Sequence, residues 1–302
     1  MPSFRKFGFG IALAAGLACV PFGIANAAAG RLTVDSGGMK RSAYVVEHAR
    51  LKRTLRPTII VLHGQSGTGM RVRKYLGLED TLKSQSVVTV YPDAIDGHWN
   101  VSDASERDVR FIRDLVHKLV SDGIADRRRV FLVGSATGGI LAMRLACQDA
   151  HAFAGVAALI ALMPAAEASA CKPMKPLPFL LLAGTADPRV PFAGGKADLV
   201  EYKGDVASAE ATVAPFAAAA GCNGGQAKAD LPDRDPNDGS RVQVDRWQGC
   251  KAPVELVKVE GGGHTLPGRP RITDRGLTVG AHNNDVNTTH LILDFFRRAS
   301  GG

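Results

Sequence analysis

The residues with chemistry in them are few: an aspartate at 187, a histidine at 264, and the glycine-framed run Gly134-Ser135-Ala136-Thr137-Gly138. The run follows a short apolar stretch, Val130 to Val133, and precedes a helical pattern from Ile140. Strand, sharp turn and helix are the setting in which a nucleophile is raised clear of a sheet. In the G-x-S-x-G form of that elbow the flanking glycines are required because side chains there would collide with the packed strand and helix. Gly134 and Gly138 have this spacing, but the position where the reactive serine belongs holds Ala136. Ser135 and Thr137 flank it; the elbow presents only its middle residue, so Ser135 is the weaker candidate nucleophile. A phosphate-binding loop is the competing reading, and G-S-A-T-G-G lacks the lysine that such a loop needs.

Three other segments supply partners. Ile59 to Leu62 runs into His63-Gly64-Gln65-Ser66-Gly67, a strand ending in a glycine-rich turn. Such a turn gives one backbone N–H to an oxyanion hole, with the other coming from the residue after the nucleophile, so the expected donors are Gln65 and Thr137. Phe179 to Ala183 leads into Gly184-Thr185-Ala186-Asp187, and Val254 to Val259 leads into Gly261-Gly262-Gly263-His264. An aspartate just past a strand orients and charge-stabilises a histidine base. Elbow, then Asp187, then His264 is the chain order of one class of triad.

These residues need a sheet to align them. Strand-like runs recur at Ala43 to Val46, Thr58 to Leu62, Val87 to Val90, Val130 to Val133, Gly155 to Ile160, Phe179 to Ala183 and Val254 to Val259. Helical patterns fall between them at Met70 to Ser84, Glu106 to Ser121, Gly138 to Cys147 and Ser208 to Ala220. The alternation predicts an α/β fold, a mostly parallel sheet with helices on both faces. Residues 28–302 are expected to form one domain, with 221–251, rich in Gly, Pro, Asp and Asn, as a disulfide-tied excursion. Asp233, Asp235, Asn237 and Asp238 invite a calcium reading, but glycine falls one position late and Val244 stands where an EF-hand needs glutamate, so no metal is expected.

Arg5 and Lys6, the apolar run Phe7 to Ile24 and Ala25-Asn26-Ala27 make residues 1–27 a secretory signal cleaved after Ala27. A retained membrane anchor fits less well, because glycines and Pro21 interrupt the run; lipid attachment at Cys19 is a minor alternative. The chain is therefore expected to be secreted or periplasmic. Export leaves Cys147, Cys171, Cys222 and Cys250, which allow three connectivities. Local pairing, Cys147 with Cys171 and Cys222 with Cys250, closes the shortest loops and is the expected one. A net charge of +8, from 37 basic and 29 acidic residues, is spread over loops and carries no nucleic-acid signature.

Together the segments IIVLHGQSG, VYPDAIDGHWN, DVRFIRDLV, RRVFLVGSATGGILAMRLAC, GTADPRVPFAGG and EGGGHTLPG resemble the secreted α/β-hydrolase esterases that include polyhydroxybutyrate depolymerases and feruloyl and acetylxylan esterases. The resemblance covers most of residues 28–302 and implies the α/β-hydrolase fold, no cofactor, and an ester-like small molecule or extracellular polymer as partner. By position it makes Asp187 and His264 the acid and base, Gln65 and Thr137 the oxyanion donors, and Trp99-Asn100 a motif near the substrate. Three departures stand out: Gln65 replaces a frequent cysteine, Ala136 replaces the serine, and Leu266 replaces a common tryptophan of the substrate wall. They imply a hydrolase scaffold with impaired catalysis that still binds an ester-like ligand. The alternative is a working carboxylic ester hydrolase using Ser135 or an activated water.

Overall fold

The computed structural model describes residues 28–48, 55–65, 67–102, 106–271 and 278–301. Its strands in chain order are β1 (Ala28–Ser36), β2 (Met39–Glu47), β3 (Arg56–Leu62), β4 (Val88–Pro92), β5 (Ala125–Ser135), β6 (Gly155–Leu159) and β7 (Phe179–Gly184). Two short strands follow, β8 (Gly195–Lys196) and β9 (Asp205–Val206), then β10 (Gln226–Asp230), β11 (Arg241–Trp247) and β12 (Val254–Glu260). Among the described residues ten strands share one sheet in the order β1-β2-β4-β3-β5-β6-β7-β12-β11-β10, and β8 pairs with β9 apart from it. The central strands from β4 to β12 run parallel, and each edge carries two antiparallel strands.

Seven helices are described: α1 (Gly69–Leu76), α2 (Leu78–Leu82), α3 (Arg107–Ser121), α4 (Thr137–Gln148), α5 (Ala165–Ala170), α6 (Ala209–Ala219) and α7 (Thr288–Ala299). Because side chains alternate across a strand, β3 and β5 feed both layers. Ile60, Leu62 and Leu132 pack in one core with Phe111 of α3, Leu141 of α4 and Phe216 of α6. Ile59, Val61, Phe131 and Val133 pack in the other with Leu76, Leu82 and Phe295 of α1, α2 and α7. This is the expected α/β architecture, and β5, carrying the elbow, lies near its middle.

The structure departs from expectation in three places. The single helix expected over 70–84 breaks at Gly77, which takes φ +58 as a left-handed cap between α1 and α2. Residues 221–251 are not an excursion off the core: β10 and β11 widen the sheet, with Val242 and Val244 buried on one face. The alternation in Arg241–Trp247 was obscured by the Pro- and Asp-rich turn before it. The edge strand β1 and the helices α5 and α7 were not anticipated. The expected signal 1–27 and Cys19 lie outside the described residues; among those described, no helix is long and apolar enough to cross a membrane.

Both local disulfides are formed. Cys147 joins Cys171 across 24 positions, tying the end of α4 to the end of α5, and Cys222 joins Cys250 across 28, closing the base of the β10–β11 hairpin. Loop-closure entropy assigns each about 3.5 kcal/mol. Cys222→Ser with Cys250→Ser is therefore expected to lower unfolding free energy by about that amount in urea titration, and an unchanged midpoint would contradict it.

Candidate active site

Strand β5 ends at Ser135 and α4 begins at Thr137, so Ala136 alone makes the turn. It takes φ +49 and ψ −118, a backbone state that side-chain-bearing residues rarely adopt and that costs about 1–3 kcal/mol. The surroundings fix it there. Its N–H donates to the Leu159 carbonyl at 2.9 Å, and its own carbonyl accepts from Gly139 and Ile140. A Cβ on Gly134 would lie 2.1 Å from the Gly138 carbonyl oxygen, and one on Gly138 would lie 2.4 Å from that of His63. The helix that follows is buried from Thr137 through Ala146, which seats the turn against the sheet. The elbow is thus complete in backbone and lacks a hydroxyl at its tip.

The expected acid and base meet. His264 Nδ1 donates to Asp187 Oδ2 at 2.7 Å, and both side chains are buried. The other carboxylate oxygen accepts from the N–H groups of Arg189 (2.8 Å) and Val190 (2.9 Å), which fixes its rotamer. With Nδ1 committed, Nε2 is the atom His264 offers to the cleft. The glycines before it serve close packing more than bending: only Gly261 has a positive φ, whereas a Cβ on Gly263 would lie 2.1 Å from the Val279 carbonyl. Ser135 also borders the cleft, yet among the described residues no hydrogen bond joins it to His264.

The loop after β3 packs directly on the elbow, since a Cβ on Gly64 would lie 3.3 Å from the Ala136 methyl. His63 anchors this loop from beneath: Nε2 accepts from Ala94 N–H at 3.1 Å, so Nδ1 carries the proton donated to the Gly64 carbonyl at 2.7 Å. Burial holds its pKa below the ordinary histidine value, consistent with a neutral structural ring. Gln65 is fixed through its side-chain oxygen, which accepts from Arg189 and Val200 N–H. Thr137 is the first residue of α4, where a helix leaves its N–H groups without intrahelical acceptors. Gln65 and Thr137 therefore stand on the two segments from which oxyanion donors are expected.

Together these parts line a cleft of about 320 Å³. Val72, Tyr75, Ile160 and Val279 form its apolar walls, and Arg71 and Arg189 add positive charge. Burial pushes the Tyr75 phenol up to about 12, so it stays neutral. None of these six was singled out from sequence. Val72 and Tyr75 share a face of α1 by their spacing, and Arg189 follows Asp187 by two positions, but only the packing shows that they converge.

Three expected substrate contacts lie away from the described cleft lining. Leu266 is fully buried beside Val72 and Leu76 and is not among the described residues that line the cleft. Trp99 is 1 % exposed; its indole N–H donates to the His63 carbonyl at 2.8 Å and its ring packs on His63 at 4.8 Å, making it a prop beneath the loop after β3. Asn100 bonds Asp108 and Arg144 through its backbone and does not line the cleft. A motif's position along the chain cannot reveal whether its side chains face a cavity or the core behind it.

Comparisons agree with this fold. The chain is 30% identical over 260 residues to "Putative esterase NocK" of Nocardia uniformis subsp. tsuyamanensis, covering 80% of this chain and 74% of that one. It is 29% identical over 217 residues to "Probable feruloyl esterase C" of Aspergillus flavus, covering 69% and 70% of the two chains. Among solved structures, an acetyl xylan esterase from Aspergillus awamori superposes with a TM-score of 0.58 at 14% identity, covering 78% of this chain and 94% of that one, a likeness of fold. The sequence profile of the Alpha/beta hydrolase family matches residues 59–273, spanning the loop after β3, the elbow, Asp187 and His264. On that match and this fold, the chain belongs to the alpha/beta hydrolase family.

Proposed function

We propose that this is an exported, single-domain esterase-like protein of the polyhydroxybutyrate depolymerase and feruloyl esterase type that has lost efficient hydrolysis and uses its cleft to bind an ester-derived ligand. The observation that carries the reading is Ala136: its backbone keeps the strained elbow conformation at φ +49 while its side chain has no nucleophilic atom. In a serine triad, loss of the serine costs on the order of a millionfold in turnover, and roughly a thousandfold over water survives through the oxyanion hole and binding. Asp187 and His264 are the acid and base of this reading, and the Gln65 and Thr137 N–H groups its oxyanion donors. Export by a cleaved segment 1–27 belongs to the same reading and is supported by the two disulfides.

Ser135 gives the competing reading its one foothold, because it borders the same cleft. A fluorophosphonate probe separates the two. The purified protein is expected to remain unlabelled under conditions that label an active serine hydrolase to completion. Stoichiometric labelling mapped to Ser135 would make the protein a working hydrolase and overturn the proposal.

A further inference from the structure

We infer that the cleft is built to hold a carboxylate, the free acid half of an ester rather than the ester itself. The inference rests on the proposed reading of a non-hydrolytic binding cleft and adds the ligand's charge to it.

The first observation is Arg189. It is 7 % exposed and lines the cleft. Its Nε and Nη2 donate to the Asp198 carbonyl at 3.0 and 2.6 Å, and Nη2 also reaches Gln65 Oε1 at 3.1 Å. Among the described residues Nη1 has no acceptor and the guanidinium makes no ion pair. The nearby Asp187 side chain is spent on His264 and on the backbone N–H groups of Arg189 and Val190. A buried cation left without a counter-charge is costly, and an anion entering beside it removes that cost. Three bonds already fix the guanidinium, so little side-chain entropy remains to be lost when it binds.

The second observation is the charge of the described lining. Arg71 and Arg189 line it, and among the described residues no aspartate or glutamate does. An ester is neutral and gains nothing from this field, whereas its acid product is an anion. The backbone N–H groups that serve a transient oxyanion in a hydrolase serve a permanent one equally well, and such charge-assisted bonds are stronger than neutral ones. With a methyl at 136, no serine oxygen crowds or repels the carboxylate. The apolar walls of Val72, Tyr75, Ile160 and Val279 then take the acid's hydrocarbon or aromatic body.

Titration calorimetry of the whole protein with 4-hydroxycinnamate and with 3-hydroxybutyrate, each against its methyl ester, tests this. At least one acid is expected to bind tenfold or more tightly than its ester. A carboxyl-terminated 3-hydroxybutyrate dimer binding more tightly than the monomer would place the source of the carboxylate at a polymer chain end; the reverse order would place it in the free monomer. Arg189→Leu is expected to bring acid and ester within threefold of each other. Should that variant misfold, Arg71→Gln is the check, expected to weaken the acid about threefold and leave the ester unchanged. Esters binding as tightly as acids would overturn the carboxylate assignment and leave the binding cleft standing, whereas binding of neither class would remove both.

Discussion

Ala136→Ser is expected to raise hydrolysis of a short p-nitrophenyl ester by at least about a thousandfold, some 4 kcal/mol of barrier. The size of the effect follows from how little else is missing. The elbow already holds its strained backbone, so the new hydroxyl inherits a fixed position without a rearrangement of β5 or α4. His264 is already oriented through Nδ1 by Asp187, leaving Nε2 to take the proton. The loop that carries Gln65 packs on the elbow and is braced by His63 and Arg189. Ser135→Ala in the parent is expected to change the rate little. A folded Ala136→Ser variant with no gain would mean that the pocket no longer admits an ester in a reactive pose, and rapid turnover by the parent that is lost on Ser135→Ala would move the nucleophile by one residue.

Gly134→Ala is expected to destabilise the protein by about 4 kcal/mol or more, a large share of the roughly 5–15 kcal/mol that holds a domain folded. The added methyl would sit 2.1 Å from the Gly138 oxygen and 2.7 Å from the Gly139 nitrogen, all backbone atoms of the first turn of α4. Such atoms retreat only if the helix lifts from the sheet, and α4 is buried along ten consecutive residues. Gly30→Ala is the control, since a Cβ there meets nothing within 4 Å. Urea denaturation with a normal midpoint for Gly134→Ala would show that the elbow can open, and the strain argument at Ala136 would fail with it.

Parts of the molecule governed by local sterics were legible in the sequence. The glycine pair around Ala136, the order of Asp187 and His264 after their strands, and the short-range cysteine pairs each depend on neighbours a few residues or one supersecondary unit away. What stayed illegible depends on which face of a segment meets the core. Leu266 and Trp99 lie within a few residues of candidate site elements, yet their side chains turn inward and support the cleft from behind. Conversely Arg189 and Tyr75 enter the cleft from segments whose sequence gives no sign of it. The β11 strand shows the same limit: its alternating Val242 and Val244 become informative only once β12 is beside them.

Ile160 carries a last consequence. It follows β6 at φ +45, a value at which a β-branched residue is an outlier, with its N–H bonded to the Leu182 carbonyl at 2.7 Å and its side chain in the cleft wall. Ala136, opposite in role and equally pinned, is the other strained residue of the same cleft. Two described residues of the cleft lining therefore have pinned backbones, and this part of the wall is expected to keep its shape when a ligand enters. A guest's apolar body would meet a preformed face there rather than one that closes around it. Recognition of that kind carries a negative heat-capacity change with favourable enthalpy and little backbone rearrangement, and it discriminates by outline, rejecting bulkier bodies that a yielding pocket would accept.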